Sequence, residues 1–175
     1  METVLTAFLV ITILLFAVLT LFQAQLSAQD TLQIAWQEME SRVGEQARTD
    51  LTPLAAATKS SGSIIEITLR NDGDTRLADF EQWDVIVQYY TASSNYQVEW
   101  LPFVPGEPAH SEWTVSGIYL DAAAAASEMY EPDILNPGEQ IILRLRVNPP
   151  VGPNSANLAT IAVPNGVTVT APFTR

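Results

Sequence analysis

Cysteine is missing from this chain, and with it go disulfides, zinc–thiolate sites and thiol catalysis. Histidine is nearly absent too. His110 is the single one, in the Pro-rich loop FVPGEPAHSEW, so a Ser–His–Asp arrangement has only that base to draw on. Positive charge is scarce: eight Lys and Arg stand against twenty Asp and Glu, a formal charge of −12. That balance excludes the basic surface nucleic-acid binding needs, and it suits an exterior kept soluble by repulsion. No N-x-S/T sequon, glycine-rich phosphate loop or His-rich metal spacing occurs. Asn71-Asp72-Gly73-Asp74, with Asp79 nearby, lacks the alternating Asp/Asn spacing and distal Glu of a calcium loop, and reads as a hairpin turn. The expectation is a chain with no enzymatic activity, no cofactor, no metal, no nucleic acid and no small-molecule substrate.

What the chain does have is at its start. After Glu2 an apolar run extends from Val4 to Phe22, interrupted only by Thr6, Thr12 and Thr20. The next charge is Asp30 and the first basic residue is Arg42. At about 1.5 Å per residue the run spans the ~30 Å hydrocarbon core of a bilayer. Three readings compete. A secretory signal peptide has a basic leader, a shorter apolar stretch and a small-residue cleavage site; only Ala24, Ser27 and Ala28 approach the last. A plain membrane anchor fits the hydropathy but lacks the flanking positive charge that fixes orientation. The third reading is a helix that begins in the membrane and is then extracted into a polymer, with a leader already removed and Met1 as the first mature residue.

Composition turns polar at Gln23, yet Leu26, Leu32, Ala35, Trp36, Met39, Val43 and Ala47 keep helical spacing. Gln, Glu, Ala and Arg fill the rest and favour helix; Gly44 is the one weak point, at about 1 kcal/mol relative to Ala. Pro53 ends the pattern. Residues 1–51 therefore read as one long helix, apolar over 4–22 and amphipathic over 23–50. At roughly 70 Å it is too long for one domain to cover. Its lower half can pack on the domain that follows, through Trp36 and Met39. The upper half has only lipid or other copies of itself. Glu2 sits at the edge of the apolar run, where it is either solvated at headgroup level or paired with the α-amino group of a neighbouring subunit; the helix macrodipole favours it in both cases.

Residues 52–62, with Pro53, three alanines and Ser60-Ser61-Gly62, read as a linker. Residues 63–175 read as a β-sandwich of two antiparallel sheets, immunoglobulin-like, giving an α+β chain overall. Its strand candidates are Ser63–Arg70, Trp83–Tyr90, Tyr96–Leu101, Trp113–Leu120, Gln140–Val147, Leu158–Val163 and Val167–Thr170. Turn signals such as Asn136-Pro137-Gly138 and Asn165-Gly166 separate them. QIILRLRV sets Ile142, Leu145 and Val147 against Arg144 and Arg146, as in a half-exposed sheet. Asp121–Met129, with five consecutive alanines, reads as a short helix or a crossing loop.

An apolar helix starting almost at residue one, an amphipathic extension and a small sandwich resemble the type IV pilin superfamily. Within it, ITLRNDGDTRLADFEQWDVIVQYY (Ile67 to Tyr90), LNPGEQIILRLRV (Leu135 to Val147) and VPNGVTVTAPF (Val163 to Phe173) resemble archaellins, the archaeal-type flagellins. The motifs are also similar to the membrane-anchored accessory proteins of the archaellum motor. Two departures stand out: the early acid is Glu2 and not a glutamate at the fifth position, and no processing leader is seen. The resemblance implies a structural subunit of an extracellular filament at the cell surface, a homopolymer of many identical copies. Its precursor would wait in the membrane for a prepilin-type peptidase and the assembly machinery. Filament-core assembly then falls to Val4, Leu5, Phe8, Leu9, Ile11, Leu14, Leu15, Phe16, Leu19 and Phe22. An adhesive pilus subunit and a non-polymerising, membrane-anchored accessory protein remain the alternatives.

Overall fold

The computed structural model describes residues 2–175. One helix, α1, runs Glu2–Ala47, 46 residues without a break and about 69 Å at the standard rise. It has no proline and only one glycine, Gly44, which is where the chain divides into two units: residues up to Gly44, and Glu45–Arg175.

The second unit is a sandwich of nine strands: β1 (Leu51–Lys59), β2 (Ile64–Asn71), β3 (Asp84–Tyr90), β4 (Tyr96–Leu101), β5 (Glu112–Asp121), β6 (Ala126–Ser127), β7 (Gln140–Arg146), β8 (Ala156–Ala162) and β9 (Thr168–Thr174). They form a five-stranded sheet in the order β1-β2-β7-β5-β6 and a four-stranded sheet in the order β4-β3-β8-β9. Every pairing between these strands is antiparallel. Successive side chains in a strand point to opposite faces. Ile65, Ile67 and Leu69 of β2 and Ile141, Leu143 and Leu145 of β7 therefore meet Val85, Val87 and Tyr89 of β3 and Ile161 of β8, all fully buried. Trp113 and Phe173 complete the core.

Four expectations change. Residues 52–62 are not a linker: β1 pairs with β2 from Leu51 to Lys59, and a short 3-10 turn, Ser60–Gly62, leads into β2. Pro53 is tolerated because β1 is an edge strand and carries an irregularity between Pro53 and Ala55. Asn71–Asp74 is not a hairpin turn, since β2 and β3 lie in different sheets. In QIILRLRV the inward set is Ile141, Leu143, Leu145 and Val147; Leu145 and Val147 lie opposite the arginines as expected, but Ile142 shares the outward parity of Arg144 and Arg146. The alanine stretch is a turn into the two-residue β6.

Candidate assembly surface and the helix attachment

No residue of α1 is buried. From Val4 to Phe22 every Val, Leu, Ile and Phe is between 49% and 74% exposed, which includes all ten residues assigned to assembly from the sequence. Val10, Ile13, Val18 and Leu21, not among those ten, are exposed as well. They escape a search for one stripe because this segment is apolar on all sides, the composition of a helix surrounded by protein or lipid. The three threonines do not spoil that surface. Their hydroxyls donate back to carbonyls of the preceding turn: Thr6 to Glu2 at 2.7 Å, Thr12 to Phe8 at 2.9 Å and Thr20 to Phe16 at 3.0 Å. No hydroxyl proton of these three is left for an apolar neighbour to strand. The segment is long and apolar enough to cross a bilayer. Glu2 is in the first turn of the helix; the pairing expected with an α-amino group involves Met1, which lies outside the described residues. Trp36 and Met39 are exposed as well, at 68% and 59%.

The end of the helix is held within the second unit. Arg48 N–H and Thr49 N–H reach back to the carbonyls of Glu45 and Gln46, tightening the last turn. The Arg48 carbonyl accepts from Asp74 N–H at 2.8 Å and Thr75 N–H at 3.2 Å, and the Asp50 carbonyl accepts from Asp72 at 2.9 Å and Gly73 at 3.2 Å. Gly73 is obligatory here: a Cβ would sit 2.4 Å from the Arg48 oxygen. Asn165 donates to Thr49 Oγ1 at 2.8 Å, and its carbonyl accepts from the Gln46 side chain at 2.5 Å. Asn71, fully buried, joins the turns: its amide donates to the carbonyls of Thr75 at 2.8 Å and Leu135 at 3.1 Å, and its own carbonyl accepts from Gly138 N–H at 2.7 Å. The turns Asn71–Asp74 and Asn165-Gly166 thus meet residues 45–50, and Asn136–Glu139 is tied to the first of them through Asn71. Each belongs to one of the archaellin-like stretches. The sequence marks them as turns but gives no sign that they meet.

Electrostatics divide the sandwich. Burial alone pushes the Glu66 carboxyl up, but Lys59 and Arg144 together outweigh it and hold the group below its ordinary value of 4.5. Glu99 points inward from β4 beside Tyr89, and burial pushes its carboxyl up; the Tyr89 hydroxyl and Ser111 counter only part of this. Burial and the Glu99 charge likewise push the Tyr89 phenol up. Tyr89 Oη and one Glu99 oxygen are buried without a hydrogen-bond partner of good geometry. His110 is exposed in its loop. Among the described residues no group of three His, Cys, Asp or Glu is placed to hold a metal ion.

A long apolar helix followed by a two-sheet antiparallel sandwich fits the archaellin-like fold. The archaeal flagellum of Methanospirillum hungatei strain JF1 is similar over 97% of this chain and 92% of its own, with a TM-score of 0.61 at 13% identity. The archaellum periplasmic stator protein FlaG from Sulfolobus acidocaldarius is similar over 71% of this chain and 99% of its own, with a TM-score of 0.53 at 22% identity. The FlaF and FlaG stator complex of the same organism covers 70% of this chain and 87% of its own, at a TM-score of 0.50 and 21% identity. No protein-family model and no curated protein sequence matches the chain. These neighbours are structural components of the archaellum.

Proposed function

We propose that the chain is the structural subunit of an extracellular, motility-type helical filament of the archaellum kind, and has no catalytic role. The observation that carries this is the helix from Val4 to Phe22, apolar on every side and covered by nothing in its own unit. Fully burying one such side chain is worth about 1.5–3 kcal/mol, so packing many copies together offers a large driving force. The three threonines, with their hydroxyls turned inward, allow the same helix to wait in lipid as a precursor and later to enter a dry polymer core. A prepilin-type peptidase and an assembly machinery are the partners this route requires. Similarity to the flagellum over nearly the whole chain, helix included, fits the filament reading.

A second reading is favoured by a different observation. The FlaG match covers 99% of that chain and 71% of this one. On that reading the helix stays in lipid as the anchor of a motor accessory protein. Electron microscopy of material sheared from cells, with mass spectrometry of the filaments, separates the two. Filaments built from this chain are expected. A chain found only in the membrane fraction, requiring detergent at every step, overturns the filament reading in favour of the anchor.

A further inference from the structure

The two outer faces of the sandwich differ in kind. On the five-stranded sheet, Lys59 and Arg144 both pair with Glu66, Arg144 also with Glu107, Arg70 with Asp72, and Arg146 donates to the Pro108 carbonyl. On the four-stranded sheet, alternation and burial turn fifteen residues outward, three from β4 and four each from β3, β8 and β9. Asp84 is the single charged one. In a chain of net charge −12, a four-strand face with one charge is the exception.

Strand β4 sharpens the point. YQVEWL alternates, and its apolar set should face the core. The structure turns it over: Tyr96, Val98 and Trp100 are 53%, 57% and 59% exposed, while Gln97 and Glu99 take the inward positions. The inversion leaves Glu99 in the unfavourable site described above. The polar atoms of two outward aromatics, Trp100 and Tyr96, are already engaged within the face. Trp100 Nε1 donates to Asp84 Oδ1 at 2.9 Å, and Tyr96 Oη donates to Gln88 Oε1 at 2.9 Å. Tyr90 packs on Tyr96 with ring centroids 5.1 Å apart. With the Trp100 and Tyr96 donors engaged, rings beside Thr and Ala side chains form a surface that loses little when water leaves.

We propose that the outer face of the four-stranded sheet docks on the sandwich of a second copy of this chain. The filament reading supplies a second copy as the occupant, and the charge balance permits it at this face. Two copies at −12 repel through most of their surface, and the face with one charge is where they approach at least cost. Size sets the mode of contact. Four strands spaced ~4.8 Å apart and about seven residues long give a flat area of about 450 Å², against about 800 Å² per partner in a stable free complex. Such a contact is weak between free molecules and becomes effective when assembled helices hold the sandwiches side by side. The proposal therefore rests on the filament reading.

The absence of cysteine makes the test clean. A benzophenone-maleimide is attached to Val98→Cys on the face, and separately to Ser116→Cys on the exposed surface of β5, each in full-length filaments; photolysis products are identified by mass spectrometry. The expected result is a covalent dimer of this chain, joined through sandwich residues, from the first variant and little from the second. Adding Thr170→Glu to the first variant places a charge on the same face and is expected to lower dimer yield about tenfold or more, with the sandwich's thermal transition unchanged. Equal yields from the two sites, a product with a different protein or with glycan, or a yield insensitive to Thr170→Glu overturns the proposal. If the unmodified chain makes no filaments, the reading beneath it has failed; filaments in which the Val98→Cys probe finds no second copy reject the face alone.

Discussion

The helix and the sandwich handle the same kind of side chain in opposite ways. In the sandwich Ile67, Leu143 and Val87 are fully buried by neighbours from their own chain. In the helix Phe8, Phe16 and Leu21 are at least 70% exposed. One region closes its hydrophobic core alone, and the other has a core only when something else is brought to it. Each region's stability therefore resides in a different place. The sandwich's is intramolecular and independent of concentration. On the filament reading the helix is covered by lipid or by other copies, so its energetics belong to the assembly.

The largest expected effect breaks that division at the helix. Leu9→Lys or Phe16→Asp puts a charge where about 2.5–3.5 kcal/mol per residue opposes burial in an apolar medium. Filaments are expected to vanish from electron micrographs while the sandwich keeps its thermal transition. Normal filaments would remove these residues from the polymer core. The reciprocal change is Leu143→Ala, which leaves a cavity between fully buried neighbours and costs about 2–5 kcal/mol of sandwich stability in denaturant unfolding. Its effect on the helix in the membrane should be absent. A helix that loses membrane insertion in that variant would show the two regions to be one cooperative unit.

The comparison also marks what could be read from residues. The long helix was legible because nineteen residues of apolar sequence leave no other structure available, and Pro53 forbids its continuation. Seven strands were legible from alternation between turn signals. β1 was not, because three alanines and a proline give no alternation; it is a strand only through β2, and as an edge it accepts Pro53. The outward turn of Tyr96, Val98 and Trp100 was equally hidden, since period-two alternation fixes which residues share a face and not which face is inside. The helix attachment lay beyond reach for a third reason. Asn71, Leu135 and Gly138 are close in space through hydrogen bonds spanning more than sixty residues, and a turn signal carries no information about its distant partner.

A smaller effect is expected where the two regions join. Asn71→Ala strips partners from the carbonyls of Thr75 and Leu135 in a buried site, a cost of about 1–3 kcal/mol. Gly73→Ala forces its Cβ against the Arg48 carbonyl, so the strap of residues 48–50 must move. Both variants are expected to assemble, because the apolar helix is untouched, but to shed subunits or break under shear more readily than the unmodified filament. Shear resistance measured by filament length before and after passage through a narrow needle reads this. Unchanged lengths in both variants would mean that the turns secure the sandwich's own fold and transmit no load.

The smallest effect tests how complete the sandwich's self-sufficiency is, through two carboxylates shifted in opposite directions. Glu66 is held below 4.5 in the folded state by Lys59 and Arg144 against its burial, so it adds stability above the unfolded value, and that contribution is lost as pH falls through the lowered one. Glu66→Gln should therefore lower the melting temperature near pH 7, with a deficit that closes on acidification. Glu99 is raised above 4.5 by burial, so its folded form holds the proton more tightly than the unfolded chain; the associated stability is complete below the unfolded value and is lost as pH rises through the raised one. Glu99→Gln carries no charge at any pH, so it should melt higher than the parent near pH 7, with an advantage that shrinks toward acid. Melting curves of the parent and the two variants between about pH 7 and about pH 4 should thus give differences of opposite sign that converge. If Glu99→Gln instead destabilises at neutral pH, the carboxylate is satisfied by Tyr89 and Ser111, and the inverted strand β4 costs the sandwich nothing.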